Sequence, residues 1–223
     1  MSSKKALVTF SRRDDELTDK QHEHLSEILE YMLAACNLTG SYVVNAVGAA
    51  KQGKGSAHGV HIGDSDYGLI KEAHAGVAHC PMLNSYFANG VFPARRVLGM
   101  GVHVGLGTDI SAGTDAGLMK QCVHAVTSSR MLEDGVNGIN GAVENSRIDI
   151  AAVFYMAKTG GAHMLGLNAG VIAVGNHFDA IVVDTSSSDS GLRIYDDVDG
   201  EERIFEKIVR LSGPRDISHV WVA

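Results

Sequence analysis

Two textures of apolar spacing divide the chain. Between about residue 57 and residue 165, short apolar runs alternate with helical patterns; after Gly166, β-branched runs follow one another directly. The first pattern is helical. Leu25, Ile28, Leu29, Met32, Leu33 and Cys36 share one face of residues 14–36, with Glu23, Ser26, Glu27 and Glu30 turned away, and Gly40 stops the helix. Residues 46–56 read as a polar surface loop. Their Lys51-Gln52-Gly53-Lys54-Gly55 lacks the Gly-Lys-Ser/Thr ending and the preceding strand of a phosphate loop.

The alternation then begins. Ala57-His58-Gly59-Val60-His61 is followed by a predicted helix at 64–73. Gly76-Val77-Ala78-His79-Cys80-Pro81 is followed by a helical segment closing at 97–99, and a strand at 101–109 by a helix at 116–131. Repeated β-α units of this spacing predict an α/β fold with a parallel sheet or barrel. A glycine-rich loop at 133–145 leads into a long helix at 148–164, ended by Gly166. Beyond it come strands at 171–175 and 178–184, a loop at 186–190, a helix at 203–211 and a strand at 219–223. The implied division is a barrel-like part, 1–165, and a β-rich segment with a terminal helix, 166–223.

Three successive runs end in His58, His79 and Asp109, and strand ends of parallel sheets are where variable loops carry chemistry. Asp109 stands out. It follows Val102-His103-Val104-Gly105-Leu106-Gly107-Thr108, a buried-strand pattern that delivers one carboxylate to a loop of small residues. Such a carboxylate serves as metal ligand, general base, or both, and equally as a helix cap or turn residue. His79 is open to two readings, a support for the site and a hydrogen-bonded core histidine. His61, His74, His103, His124, His163, His177 and His219 have no partner at metal-ligand spacing. Met131, Met156 and Met164 fall on apolar helix faces as core filler, and Gly107 and Gly113 are expected to let the backbone bend near the pocket.

Composition narrows the classes. The 223 residues, 45% hydrophobic, suffice for one sizeable core, alone or with a small appendage. A net charge of −7 without a basic tract argues against nucleic acid. Cys36, Cys80 and Cys122 make no paired framework, which points to a reducing, cytoplasmic setting. The apolar run at 6–10 meets Arg12, Arg13, Asp14 and Asp15 too soon for a signal segment or a membrane span. The His-x-Glu…Pro-Cys-x-x-Cys pattern of the zinc nucleoside deaminases is missing, and His79-Cys80-Pro81 has the wrong order for it.

Several motifs in order carry a resemblance. Ala78-His79-Cys80-Pro81 with Asn84, Gly105-Leu106-Gly107-Thr108-Asp109 with Ala112-Gly113-Thr114, and Thr159-Gly160-Gly161-Ala162 with Leu165-Gly166-Leu167 resemble the amidohydrolase superfamily. So does Gly170-Val171-Ile172 with Gly175-Asn176 and Phe178-Asp179-Ala180. The ending Phe205-Glu206-Lys207-Ile208-Val209, Pro214-Arg215-Asp216-Ile217 and Val220-Trp221-Val222 is closest to the guanine deaminase branch of that superfamily.

The resemblance implies a (β/α)8 barrel of the metal-dependent hydrolase type beside a small β-sandwich, a zinc ion at the strand ends, and hydrolytic deamination of guanine to xanthine and ammonia. By position, Asp109 matches the residue that binds zinc and accepts a proton from the attacking water. His58 matches the histidine that lies over the reacting centre and polarises the purine. His24-Leu25-Ser26-Glu27 matches the motif supplying a zinc-binding histidine, His24, and a proton-shuttling glutamate, Glu27. Read as one continuous helix, the same stretch turns Glu27 to solvent. Asn84 is a pocket candidate, and Asp179 matches a structural position. Homodimers are common in the family.

The family's opening His-x-His zinc pair follows an apolar strand, and no such strand precedes His22-Glu23-His24. A barrel of this type takes about 250 residues. The expectation is therefore an incomplete barrel, truncated at its N-terminal side, that is weakly active or inactive by itself. The two resulting readings are a guanine deaminase whose missing part lies elsewhere, and a non-catalytic amidohydrolase-like domain kept for binding or assembly.

Overall fold

Val77, Val104 and Leu106 are fully buried because they stand on one face of a parallel sheet. The computed structural model describes residues 56–88, 90–110, 112–135, 141–186, 191–195 and 197–222. The expected helix at 14–36, with His24, Glu27 and Cys36, and almost all of the loop at 46–56 lie outside these residues. Strands β1 (Ser56–Ala57), β2 (Gly76–His79) and β3 (His103–Leu106) pair in the order β1-β2-β3, all parallel. Helix α1 (Asp64–Glu72) joins β1 to β2, and α2 (Pro81–Ala88) and α3 (Ala94–Gly99) join β2 to β3. The alternation predicted from the sequence is therefore present, with β3 shorter than the run at 101–109.

The register sets the two faces. Val77 lies opposite Val104 and His79 opposite Leu106, so these four share one side. Tyr67 and Ile70 of α1, Phe92, Val97 of α3, and Cys122 and Ala125 of helix α4 (Leu118–Glu133) join them in one apolar cluster. Each fully buried aliphatic side chain of this kind contributes roughly 1.5–3 kcal/mol.

The other face carries the small residues Gly76, Ala78 and Gly105, with His103 beside Gly76. A helix uses the room they leave. The predicted helix at 148–164 is observed as α5 (Ile150–Tyr155), a π-helical turn at Met156–Gly160, and α6 (Gly161–Leu165), closed by Gly166 at φ 68°. Asp149 caps its start by accepting a hydrogen bond from the Ala152 amide at 2.8 Å. Met164 lies against both Gly76 and Gly105, and a Cβ on Gly105 would come within 2.9 Å of the Gly161 Cα. The Gly107 amide donates to the His79 carbonyl, so alternation turns the Val104 carbonyl toward the free edge of β3. Gly160 sits on that carbonyl, where a side chain would collide. The π-turn thus covers the edge of the sheet.

Beyond Gly166 the structure departs from the sequence reading in part. Residues 171–175 form no strand; all five are exposed. Strand β4 (Ala180–Val183) pairs antiparallel with β5 (Ile217–Trp221), with an irregular register at Val182/Val183. Between them α7 (Glu201–Leu211) buries Val209 and stacks Phe205 edge-on against Phe154 of α5 at 5.0 Å. Met156 and Met164 are core residues, but Met131 is 42% exposed because it falls near the C-terminal end of α4, on its solvent side. No described helix is long and apolar enough to cross a membrane.

Candidate active site

His58 leaves β1 with its amide bonded to the Ala78 carbonyl at 2.9 Å and its backbone in the left-handed region, φ 69°. Gly59 follows at φ 65°, where a Cβ would come within 2.9 Å of both Phe92 and Val77. The buried Tyr67 hydroxyl donates to the Gly59 carbonyl at 2.9 Å and holds this turn in place. One side of the imidazole is then fixed by Asn84, itself buried in α2. Asn84 Nδ2 donates to the His58 carbonyl at 3.4 Å, which leaves Asn84 Oδ1 as the acceptor of a hydrogen bond from His58 Nδ1 at 2.9 Å. Nδ1 therefore carries a proton, and Nε2 is the ring nitrogen left to face outward.

That Nε2 faces Asp109. It lies 3.8 Å from Asp109 Oδ2, and both side chains keep about a fifth of their surface open. Asp109 also adopts a left-handed backbone, φ 47°, and its carbonyl accepts from the amides of Ala112 at 3.1 Å and Gly113 at 2.5 Å. A Cβ on Gly113 would collide with the Thr108 carbonyl, so this turn requires glycine. Four non-glycine residues among those described have positive φ, and two of them, His58 and Asp109, face each other here. Backbone strain of this sort concentrates at functional sites. Asp109 caps no helix, since α4 begins nine residues later behind Gly117.

Burial raises the Asp109 carboxyl above its ordinary value, and the nearby His58 works against that rise. His79 is wholly buried, 5.0 Å from the Phe92 ring, and burial with the proximity of His58 pushes its imidazole down to about 3. It stays neutral. The buried Cys80 thiol is pushed up to about 12 by burial, reinforced by the Asp109 charge, so it is no nucleophile. Cys80 and Cys122 are free and buried.

The structure therefore brings together His58, Asn84 and Asp109, with His79 and Cys80 immediately behind them. Asp179 is exposed, away from this group in the β-rich segment. His103 and His163 contact each other edge to face at 5.7 Å between β3 and α6. Among the described residues no three His, Cys, Asp or Glu side chains form a metal-binding cluster. Sequence reading missed Thr108 and Gln121, both buried next to these strand ends. The one signal was Gln121 beside Cys122 on the face of α4 that also carries Ala125.

The profile of the amidohydrolase family matches residues 7–223. The chain belongs to this family. Among relatives of this amidohydrolase, a probable guanine deaminase of Deinococcus radiodurans is 32% identical over 168 residues, covering 74% of the chain and 36% of the relative. The guanine deaminase of Homo sapiens is 30% identical over 209 residues, covering 89% of the chain and 45% of the human protein. The crystal structure of guanine deaminase from C. acetobutylicum, with guanine bound in its active site, superposes with a TM-score of 0.66 at 25% identity. It covers 88% of the chain and 44% of that protein. The chain thus spans less than half the length of these relatives. Its parallel sheet is part of the TIM-barrel type of fold that amidohydrolases share.

Proposed function

We propose that this amidohydrolase belongs to a zinc-dependent guanine deaminase, which converts guanine and water to xanthine and ammonia in purine catabolism in the cytoplasm. The observation that supports this most is the opposition of His58 Nε2 and Asp109 Oδ2 at 3.8 Å, on strained turns at parallel strand ends. The two relatives from Deinococcus radiodurans and Homo sapiens are named guanine deaminases, the first as a probable one, and one solved relative holds guanine. On this reading residues 1–165 carry the catalytic barrel part and 166–223 a β-rich segment.

The residues present suit a cation. The partly open carboxylate of Asp109 is an oxygen donor of the kind that binds zinc, and it stands at a strand end with 21% of its side chain exposed. Asp109 would hold zinc together with His24, which lies outside the described residues. A bound zinc ion supplies Lewis acidity and lowers the pKa of water to about 7. The remaining work falls to the protein. Asp109 accepts the proton of the attacking water, and a carboxyl raised by burial is a better base for it. His58 lies over the purine and polarises it through Nε2, while Asn84 holds Nδ1 and so keeps the ring turned to the substrate. Glu27, also outside the described residues, carries a proton to the ring nitrogen and then to the leaving amine.

The test is the zinc content of the 223-residue chain and of Asp109→Ala, followed by xanthine formation from guanine. About one zinc per chain, lost in the variant, is the expected result, with xanthine formed at most slowly by so incomplete a barrel. Zinc in neither protein overturns it and leaves a non-catalytic amidohydrolase-like domain with a binding or assembly role.

A further inference from the structure

Three buried side-chain atoms near the strand ends have no hydrogen-bond partner among the described residues: His79 Nδ1, Thr108 Oγ1 and Gln121 Nε2. All three residues are at least 96% buried by exposure, at 1%, 4% and 0%. Their places in the fold are adjacent. His79 is the last residue of β2 and lies opposite Leu106 of β3. The Gly107 amide extends that pairing to the His79 carbonyl, which puts Thr108, two residues past Leu106, on the same helix-covered side as His79. Gln121 reaches this place from α4, where its Oε1 accepts from the Met82 amide at 3.4 Å, just past the turn that follows His79. Its amide nitrogen is the end left over.

We propose that His79, Thr108 and Gln121 share an internal water and act through it as positioning residues for the Asp109 turn. The chemistry balances. Gln121 Nε2 can only donate, so it donates to the water oxygen; the water's two hydrogens go to Thr108 Oγ1 and to the lone pair of a neutral His79. One water thereby satisfies three groups whose burial unpaired would be destabilising, which is the usual role of buried water. It also ties α4 to β2 and to the residue before Asp109, which are themselves joined by the hydrogen bond from the Gly107 amide to the His79 carbonyl. The link to Asp109 is the peptide bond itself. Fixing Thr108 anchors the peptide plane from which the strained Asp109 turn starts, and so helps hold the carboxylate toward His58. The inference rests on the site proposed above for its purpose, but not for its detection.

The experiment is a crystal structure of the full chain that resolves ordered water, with amide hydrogen exchange on the wild type, Thr108→Val and Thr108→Ser. The expected result is one water within hydrogen-bond distance of all three atoms. In Thr108→Val the Ala112 and Gly113 amides, which bond the Asp109 carbonyl, should exchange about tenfold faster while β2 amides are unchanged, and Thr108→Ser should restore them. Three results overturn it: a dry contact, separate waters on the three atoms, or a side chain from elsewhere in the chain on them. So does an unchanged exchange rate at Ala112 and Gly113 in Thr108→Val. None of these readouts needs zinc or turnover, so loss of the deaminase reading and loss of this one are told apart.

Discussion

Asn84 decides what His58 can do. Replacing Asn84 with Leu removes the acceptor that holds Nδ1–H, leaving a largely buried donor unpaired and freeing the ring to exchange tautomers. For the proposed deamination the expected outcome is a 10–100-fold loss of guanine turnover with the fold retained, and a loss of the single Nδ1-protonated signature of His58 by 15N NMR. Gly113→Ala places a Cβ against the Thr108 carbonyl, a backbone atom that cannot step aside. It should lower the melting temperature and abolish zinc uptake together, measured by calorimetry and metal analysis. His79 governs the acid side of the stability curve. Its folded value is depressed from 6.5 to about 3, so its stabilising contribution is complete above pH 6.5 and is lost as pH falls toward 3. Asp109 has the opposite sign: raised above 3.8, its contribution is complete below that pH and is lost as pH rises through the folded value. Urea unfolding between pH 6.5 and 4 should show stability falling with a slope of up to about 1.4 kcal/mol per pH unit, flattened in His79→Phe.

At the scale of elements, two glycines on facing backbones dock α6. Gly105→Val would drive three extra carbons toward Gly161 and Met164, and a loss of about 2–4 kcal/mol in denaturant unfolding is expected. The pattern of residues foretold much of this architecture. Parallel strands ending in His58, His79 and Asp109 were readable because apolar runs followed by helical spacing have one economical arrangement. The helix through residue 164 was readable too, but its π-turn was not, since no periodicity distinguishes one inserted residue. Residues 171–175 misled because Val and Ile favour strands only where neighbours cover them, and there Val174 is fully exposed. Met131 misled in the same way, by an apolar stripe longer than the surface it faces. At the site, the spacing of His58 and Asp109 was visible, whereas their positive φ angles and the Asn84 bond depend on contacts across the fold. Gln121 was hidden because a polar side chain on an apolar helix face ordinarily reads as noise.

For the whole molecule, the uneven burial of its two sheets matters most. The parallel sheet is covered on its helix side by a continuous core, while the β4–β5 ribbon exposes Ile181 at 47% and Val220 at 61%, paired on one face. Apolar strands this open invite association, so Ile181→Thr with Val220→Thr should reduce concentration-dependent sedimentation of the chain in the ultracentrifuge. A second imbalance lies inside the parallel sheet. Among the described residues, His58 follows a strand of two residues paired with β2 alone, and Asp109 a four-residue strand backed by a helix. Amide exchange at the end of β1 is therefore expected to run ahead of exchange in β2 and β3, and the fraction of time His58 stands against Asp109 sets an upper bound on how strongly a ligand touching both is held there.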